Sequence, residues 1–247
     1  MESELKVKEK DIVCPGEILA EGMSYLPGQG MYRQGNYIIA SRLGLIKIEG
    51  KVIKIIPLSG KYLPKTGDVI IGRIKDVNIN GWVVDTNSAY PAMLSMKDGT
   101  SDFIRRGSDL TRYFDIGDYI LTKIINVTSQ NLIDLTMKGP GLRKLEDGRI
   151  LKVAASKVPR IIGKQGSMVS MLKKATNCNI IVGQNGIVWI KGINPKDEIL
   201  TVETIQKIER ESHLSGLTDR IKEFLEKNGK KVDLSELKEN NGDNDEL

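Results

Sequence analysis

Histidine occurs once, cysteine twice and phenylalanine three times in these 247 residues, and each scarcity closes off a class of function. Cys14 and Cys178 lie far apart, with no Cys-x-x-Cys pair and no Cys/His cluster, so neither a disulfide framework nor a zinc site is implied. A reducing, intracellular setting fits that usage. The single His213 falls at the polar end of a predicted helix, where capping is a commoner role than catalysis. No P-loop and no His-Glu-x-x-His motif is present, and scattered carboxylates such as Asp68, Asp85 and Asp118 sit where strand ends and turns normally place aspartate. The sequence therefore predicts no enzyme, no metal and no cofactor. Long apolar runs are missing as well, and the start, Met1 to Lys6, is charged and lacks a signal-peptide core. The expectation is a soluble, cytoplasmic protein.

Positive charge is what the chain does carry. The formal net charge is +5 and the isoelectric point about 9.0, but the distribution is uneven. Between Gly148 and Gly192 stand Arg149, Lys152, Lys157, Arg160, Lys164, Lys173, Lys174 and Lys191, with no Asp or Glu, a local charge of +8. A segment of one sign without compensation is the electrostatic footprint of a polyanion. At its centre lies Val158-Pro159-Arg160-Ile161-Ile162-Gly163-Lys164-Gln165-Gly166-Ser167, a Gly-x-x-Gly loop between two short helical patterns. The glycines remove side chains that would keep a sugar-phosphate backbone off the main chain. The helix that follows offers unpaired N–H groups and the positive end of its dipole to a phosphate. Lys164 adds a formal charge, with Arg160, Gln165 and Lys173 flanking. A tight helix-helix turn on an incidentally basic surface would share the glycines but not the charge bias.

Short apolar runs cut by glycines divide the chain. Residues 1–65 read as a small N-terminal β domain with strands Tyr37–Ala40, Gly44–Ile48 and Val52–Pro57, preceded by loops at Pro15-Gly16-Glu17 and Leu26 to Gly30. So small a unit buries little surface alone and is expected to lean on a neighbour. Residues 66–138 carry five short strands, Val69–Ile74, Gly81–Asp85, Ala92–Leu94, Tyr119–Ile125 and Leu132–Thr136, which suggests a closed barrel. The insertion between the third and fourth strands holds Arg105, Arg106, Arg112, Tyr113 and Phe114. That mixture suits single-stranded RNA, whose bases stack while its backbone is neutralised. Packing of Phe114 against the barrel is the other reading, and eight Lys/Arg against nine Asp/Glu in 66–138 leave both open.

After Gly139-Pro140-Gly141 a linker is predicted to run to Gly148. Residues 148–228 then read as strand (Arg149 to Ala154), short helix to Ile162, the glycine loop, helix (Ser167 to Thr176), hairpin (Asn179 to Val182 and Ile187 to Lys191, turning at Gln184-Asn185-Gly186) and two helices. The first of these helices is capped at Asn194, starts at Pro195 and is striped by Ile199, Val202, Ile205 and Ile208. The second carries Leu217, Ile221, Phe224 and Leu225 and stops at Gly229. Residues 229–247, with three lysines against six carboxylates, read as an acidic disordered tail.

That last order reproduces the layout of a KH domain, with Gly163-Lys164-Gln165-Gly166 at the position of its nucleic-acid clamp. The preceding barrel resembles the OB-type S1 RNA-binding domain, through Gly67-Asp68-Val69-Ile70 and Asn80-Gly81-Trp82-Val83-Val84-Asp85. It departs from that family's pattern at Ile79, often an aromatic, and at Ser95, near which a histidine is usual, so Trp82 alone keeps an aromatic there. Taken with Val13-Cys14-Pro15-Gly16-Glu17 and Gly60 to Ile70, the three-part order resembles the KH-containing RNA-binding cap subunit of the archaeal RNA exosome, over residues 10 to 228. The resemblance implies a multidomain protein, mainly β then α+β, that binds single-stranded RNA through Arg160, Gly163, Lys164, Gln165, Gly166, Lys173, Trp82, Arg105, Arg106 and Arg112. It implies three copies docked by the N-terminal domain on a ring of RNase PH-like subunits, guiding RNA to the pore for 3′-to-5′ degradation, without catalysing it. A stand-alone RNA-binding or translation-related protein is the alternative.

Overall fold

In the computed structural model, residues 4–230 are described except 103, 106 and 215. The predicted tail from 231 onward and Arg106 lie outside the described residues. By contact, the chain divides between Gly60 and Lys61.

The N-terminal unit holds eight strands: β1 (Glu4–Leu5), β2 (Ile12–Val13), β3 (Ile18–Glu21), β4 (Leu26–Pro27), β5 (Met31–Gln34), β6 (Tyr37–Ala40), β7 (Gly44–Glu49) and β8 (Val52–Pro57). They form two four-stranded sheets, β1-β3-β6-β5 and β2-β7-β8-β4. Three of these strands stand where the sequence predicts them. β3, β5 and the two-residue β4 fall in or beside stretches read as loops, because two to four residues give too short a period to recognise. Alternation sends Ile38, Ala40, Ile46, Ile53 and Ile55 inward, onto Val13 and Leu19. Arg33 fastens the Gly22 to Tyr25 loop, its guanidinium donating to Gly22 O at 2.8 Å and also to Tyr25 O.

The second unit begins with a barrel built from β9 (Val69–Asn78), β10 (Gly81–Asp85), β11 (Ala92–Ser95), β12 (Tyr119–Val127), β13 (Ile133–Thr136) and β14 (Arg143–Leu145). The order is β13-β11-β10-β9-β12-β14, and β13 also pairs with β12, so five strands close and β14 is added outside β12. The stretch expected to be a linker thus contains a sixth strand, Tyr119 opposing Leu145 and Leu121 opposing Arg143. Residues 61–65 go with this unit too, since Tyr62 is buried in the barrel core and its hydroxyl donates to Asp68.

Trp82 is fully buried at the barrel's centre, edge-on to Phe114 at 5.1 Å, with Nε1 donating to Phe114 O at 2.9 Å. The expectation that Trp82 contacts RNA is therefore corrected. Period-two alternation from Ile70 to Ile74 and from Trp82 to Val84 places this indole inside, and no face remains for a base. Phe114 packs on the barrel in the same way. With Ile104 and Leu110 it seats the insertion, which contains the short helix α1 (Met96–Gly99) and a 3-10 turn at Leu110–Arg112.

The remainder is β15 (Arg149–Lys152), a 3-10 turn, α2 (Val158–Ile162), the loop, α3 (Ser167–Thr176), β16 (Asn179–Val182), β17 (Ile187–Lys191), α4 (Pro195–Glu211) and α5 (Leu217–Lys227). The three-stranded sheet runs β15-β17-β16. Its two faces bury different partners. Val188 and Ile190 join the core beneath the helices, while Ile187 and Trp189 pack on Ile71, Leu121 and Leu145 of the barrel. On α4 the buried positions are Leu200, Thr201, Thr204, Ile205 and Ile208. Ile199, expected in that stripe, is exposed, and Asn194 occupies the N-cap position without a side-chain capping bond. Arg149 Nε donates to Glu198 at 2.8 Å, and Glu198 also accepts from Gly192 N–H at 3.0 Å, tying β15 and the end of β17 to α4. That backbone bond first, then the arginine, holds the Glu198 carboxyl below its ordinary pKa. Among the described residues no helix is long and apolar enough to cross a membrane.

Candidate nucleic-acid interface

The glycine loop owes its shape to backbone that few residues tolerate. α2 ends at Gly163, with φ 77° and ψ 174°. A Cβ there would lie 2.7 Å from Met168 N and 2.8 Å from Met168 Cβ, so conformation and space both require glycine. Gln165 has φ 51° and Gly166 φ 79°. At Gly166, by contrast, an added Cβ would meet nothing within 4 Å. The first glycine builds the loop and the second leaves its outer surface bare.

α3 then turns Met168, Met171, Leu172, Ala175 and Thr176 inward, one helical face at i, i+3, i+4, i+7 and i+8, and leaves Lys173 exposed on the other. No side chain caps its first turn and no acidic residue lies there. Those N–H groups remain directed at whatever approaches the loop.

The structure also sorts seven of the eight cations. Arg149 is bound to Glu198, and Lys191 lies 3.3 Å from Asp147. Lys152, Lys157, Arg160, Lys164 and Lys173 form no ion pair among the described residues, and Arg160, Lys164 and Lys173 are exposed along α2, the loop and α3. Unneutralised charge is thus concentrated where the backbone is barest. The insertion makes a separate group. Arg105 is exposed, and Arg112 has an 82% exposed side chain with Nε 3.7 Å from Asp109. Among the described residues no hydrogen bond, ion pair or ring contact joins this group to the loop. Among the described residues, no group of three or more His, Cys, Asp or Glu side chains could hold a metal ion.

Removing one exposed charge from the loop tests contact directly. Lys164→Ala is expected to lower the slope of log K against log [salt] for single-stranded RNA by about 0.7, one phosphate's share, measured by fluorescence anisotropy across a salt series. An unchanged slope means that Lys164 touches no phosphate.

A closed five-stranded barrel, a three-stranded sheet under helices and a bare, cationic Gly-x-x-Gly loop define the class: a protein of barrel and KH modules that binds nucleic acid. Comparison with known proteins narrows it. Residues 148–196 match the KH domain family, 61–106 the S1 domain of RRP4, and 10–59 the N-terminal domain of the exosome RNA binding protein RRP4. The exosome complex component Rrp4 of Pyrococcus furiosus is 46% identical over 224 residues, covering 89% of this chain and 84% of that one. Rrp4 of Methanothermus fervidus is 46% identical over 222 residues, covering 90% and 97%. A crystal structure described as that of a presumptive exosome complex RNA-binding protein superposes with a TM-score of 0.63 at 37% identity, over 68% of this chain and 97% of that one. The chain belongs to the Rrp4 family of exosome complex components.

Proposed function

We propose that this chain is a non-catalytic RNA-binding cap of the exosome. Its N-terminal unit docks on a ring of RNase PH-like subunits, three copies to a ring, and its loop and neighbouring cations guide RNA 3′ ends to the pore for 3′-to-5′ degradation in the cytoplasm. The observation that carries the RNA-binding part is the Gly163 to Gly166 loop, glycine-bare and flanked by Arg160, Lys164 and Lys173, exposed and without ion pairs among the described residues.

Two observations support the rest. On the outward face of β2-β7-β8, Ile12 opposes Leu45 and Leu45 opposes Ile56, with Ile12 64% and Ile56 49% exposed. A cross-strand apolar row turned to solvent on a unit this small suits a protein partner. The carboxylates that might have served as acid or base already have structural work: Asp68 accepts from Tyr62, Asp85 from Asn87 N–H, and Asp118 pairs with Lys144 and accepts from Asp115 N–H.

Mixing the purified chain with RNase PH-like ring subunits, then following co-elution by light scattering and decay of labelled RNA in phosphate, tests the proposal. The chain alone should leave RNA intact, co-elute with the ring and accelerate the ring's degradation. Shortening of RNA by the chain alone, or failure to co-elute, overturns it.

A further inference from the structure

α5 ends in a defined turn. Gly229 takes φ 76°, its N–H donates to Glu226 O at 3.0 Å and the Lys230 N–H donates to Leu225 O at 3.0 Å, the paired bonds by which a left-handed glycine closes a helix. Lys230 Nζ then lies 2.7 Å from Asp197 in the first turn of α4. The chain beyond 230 therefore departs from a fixed point. That point adjoins the C-terminal end of α3, because Glu198, next to Asp197, accepts from Gly192 N–H, and a Cβ on Gly192 would lie 2.8 Å from the sulfur of Cys178, just past Thr176. The other end of α3 carries the Gly163 to Gly166 loop. Ten residues of helix, about 15 Å, separate the two.

What departs there is acidic. Residues 231–247 hold Asp233, Glu236, Glu239, Asp243, Asp245 and Glu246 against Lys231 and Lys238, a net charge of −4. The surface beside it has the opposite sign: Lys173, Lys164 and Arg160 are exposed and form no ion pair among the described residues, Lys174 is exposed with them, and α3 has no Asp or Glu. Reach is sufficient in any conformation. From Lys230 to Glu246 the chain spans about 24 Å as a helix and about 50 Å extended, more than the length of α3.

We propose that residues 233–246 dock on the cationic strip from Lys173 to Lys164, so that the chain covers its own loop and an RNA strand must displace the acidic segment to bind. The competition rests on the RNA-binding reading above, whereas the docking does not. A short tether supplies an effective concentration of order 1 mM, so a contact with a dissociation constant of about 0.25 mM weakens RNA binding about fivefold. Contacts with few charges thus lose more than they gain. A strand that reaches further cations outcompetes the segment.

The test uses the full chain with Asp233→Asn, Glu236→Gln, Glu239→Gln, Asp243→Asn, Asp245→Asn and Glu246→Gln. The fold tolerates these, since the core beneath the helices draws on no described residue beyond Leu225. Titrated with a single-stranded RNA of about four nucleotides in about 50 mM salt, the variant should bind about fivefold tighter than wild type, and the gain should fade at about 500 mM. In parallel, a nitroxide at Asn244→Cys, with Cys14→Ser, is placed on the otherwise wild-type chain without RNA. It should broaden the amide resonances of Lys164, Gln165 and Gly166 at low salt, and added RNA or salt should restore them. Equal affinity of the two proteins overturns the proposal. So does tighter binding without broadening at the loop, which would be a long-range field effect rather than docking. If neither protein binds RNA, the RNA-binding reading and the competition fall together, while the resonances still report on the docking itself.

Discussion

Gly166→Asp should lower the affinity for single-stranded RNA about thirtyfold and leave the protein folded. The reasoning starts from empty space: an added Cβ at Gly166 meets nothing within 4 Å, so no neighbour has to move. The left-handed conformation, φ 79°, costs an aspartate roughly 1 kcal/mol, which lowers Tm by only about 4 °C in a unit of this size. A carboxylate at the bare edge of the loop, several ångströms from an approaching phosphate, adds about 2 kcal/mol of repulsion, and that is roughly thirtyfold in Kd. Gly163→Asp is the contrasting case. Its Cβ would sit 2.7 Å from the Met168 nitrogen, so lost binding there would reflect a broken loop, and the melting temperature separates the two. Titration of both variants with a short labelled RNA, beside their thermal melts, checks the distinction. Wild-type affinity in a folded Gly166→Asp protein removes the clamp.

Local pattern made much of this molecule legible. α3 ends where the sequence places it, because apolar residues recur from Met168 to Ala175 at helical spacing, and the β16-β17 hairpin follows from two β-branched runs around Asn185-Gly186. Alternation also predicts the buried half of each barrel strand, and applied to Trp82 it sends the indole inward. The contrary reading of that residue came from the family pattern rather than from the period. What stayed hidden depends on distant partners. β14 is three residues long and exists because β12 offers it an edge. Asn185 looks like any turn asparagine until Ile71, 114 residues earlier in the chain, is brought against it. Likewise the charge count from Gly148 to Gly192 was plain, but which cations were already neutralised required the positions of Glu198 and Asp147.

Removal of residues 1–60 should abolish assembly with the ring while sparing RNA binding, the largest effect expected of any single change. The cores allow the cut. Every buried member of the N-terminal cluster lies between Val7 and Ile55, and the clusters of the barrel and KH domain draw only on residues from Tyr62 onward. The boundary at Gly60 leaves Tyr62 and its bond to Asp68 in place, so the truncated chain keeps its barrel intact. Because truncation removes a whole unit, a finer change identifies the face. Ile12→Glu with Ile56→Glu places two carboxylates on the outward row around Leu45 without touching the inward residues Val13 and Ile55. Charges buried at an interface without partners cost several kcal/mol, about 4 kcal/mol being a thousandfold in affinity. Co-elution with RNase PH-like subunits should be lost in both proteins, with anisotropy on RNA unchanged. If the double variant still assembles while the truncation does not, docking belongs to the other sheet of the unit, and if the truncation itself assembles, it belongs to the barrel or the KH domain.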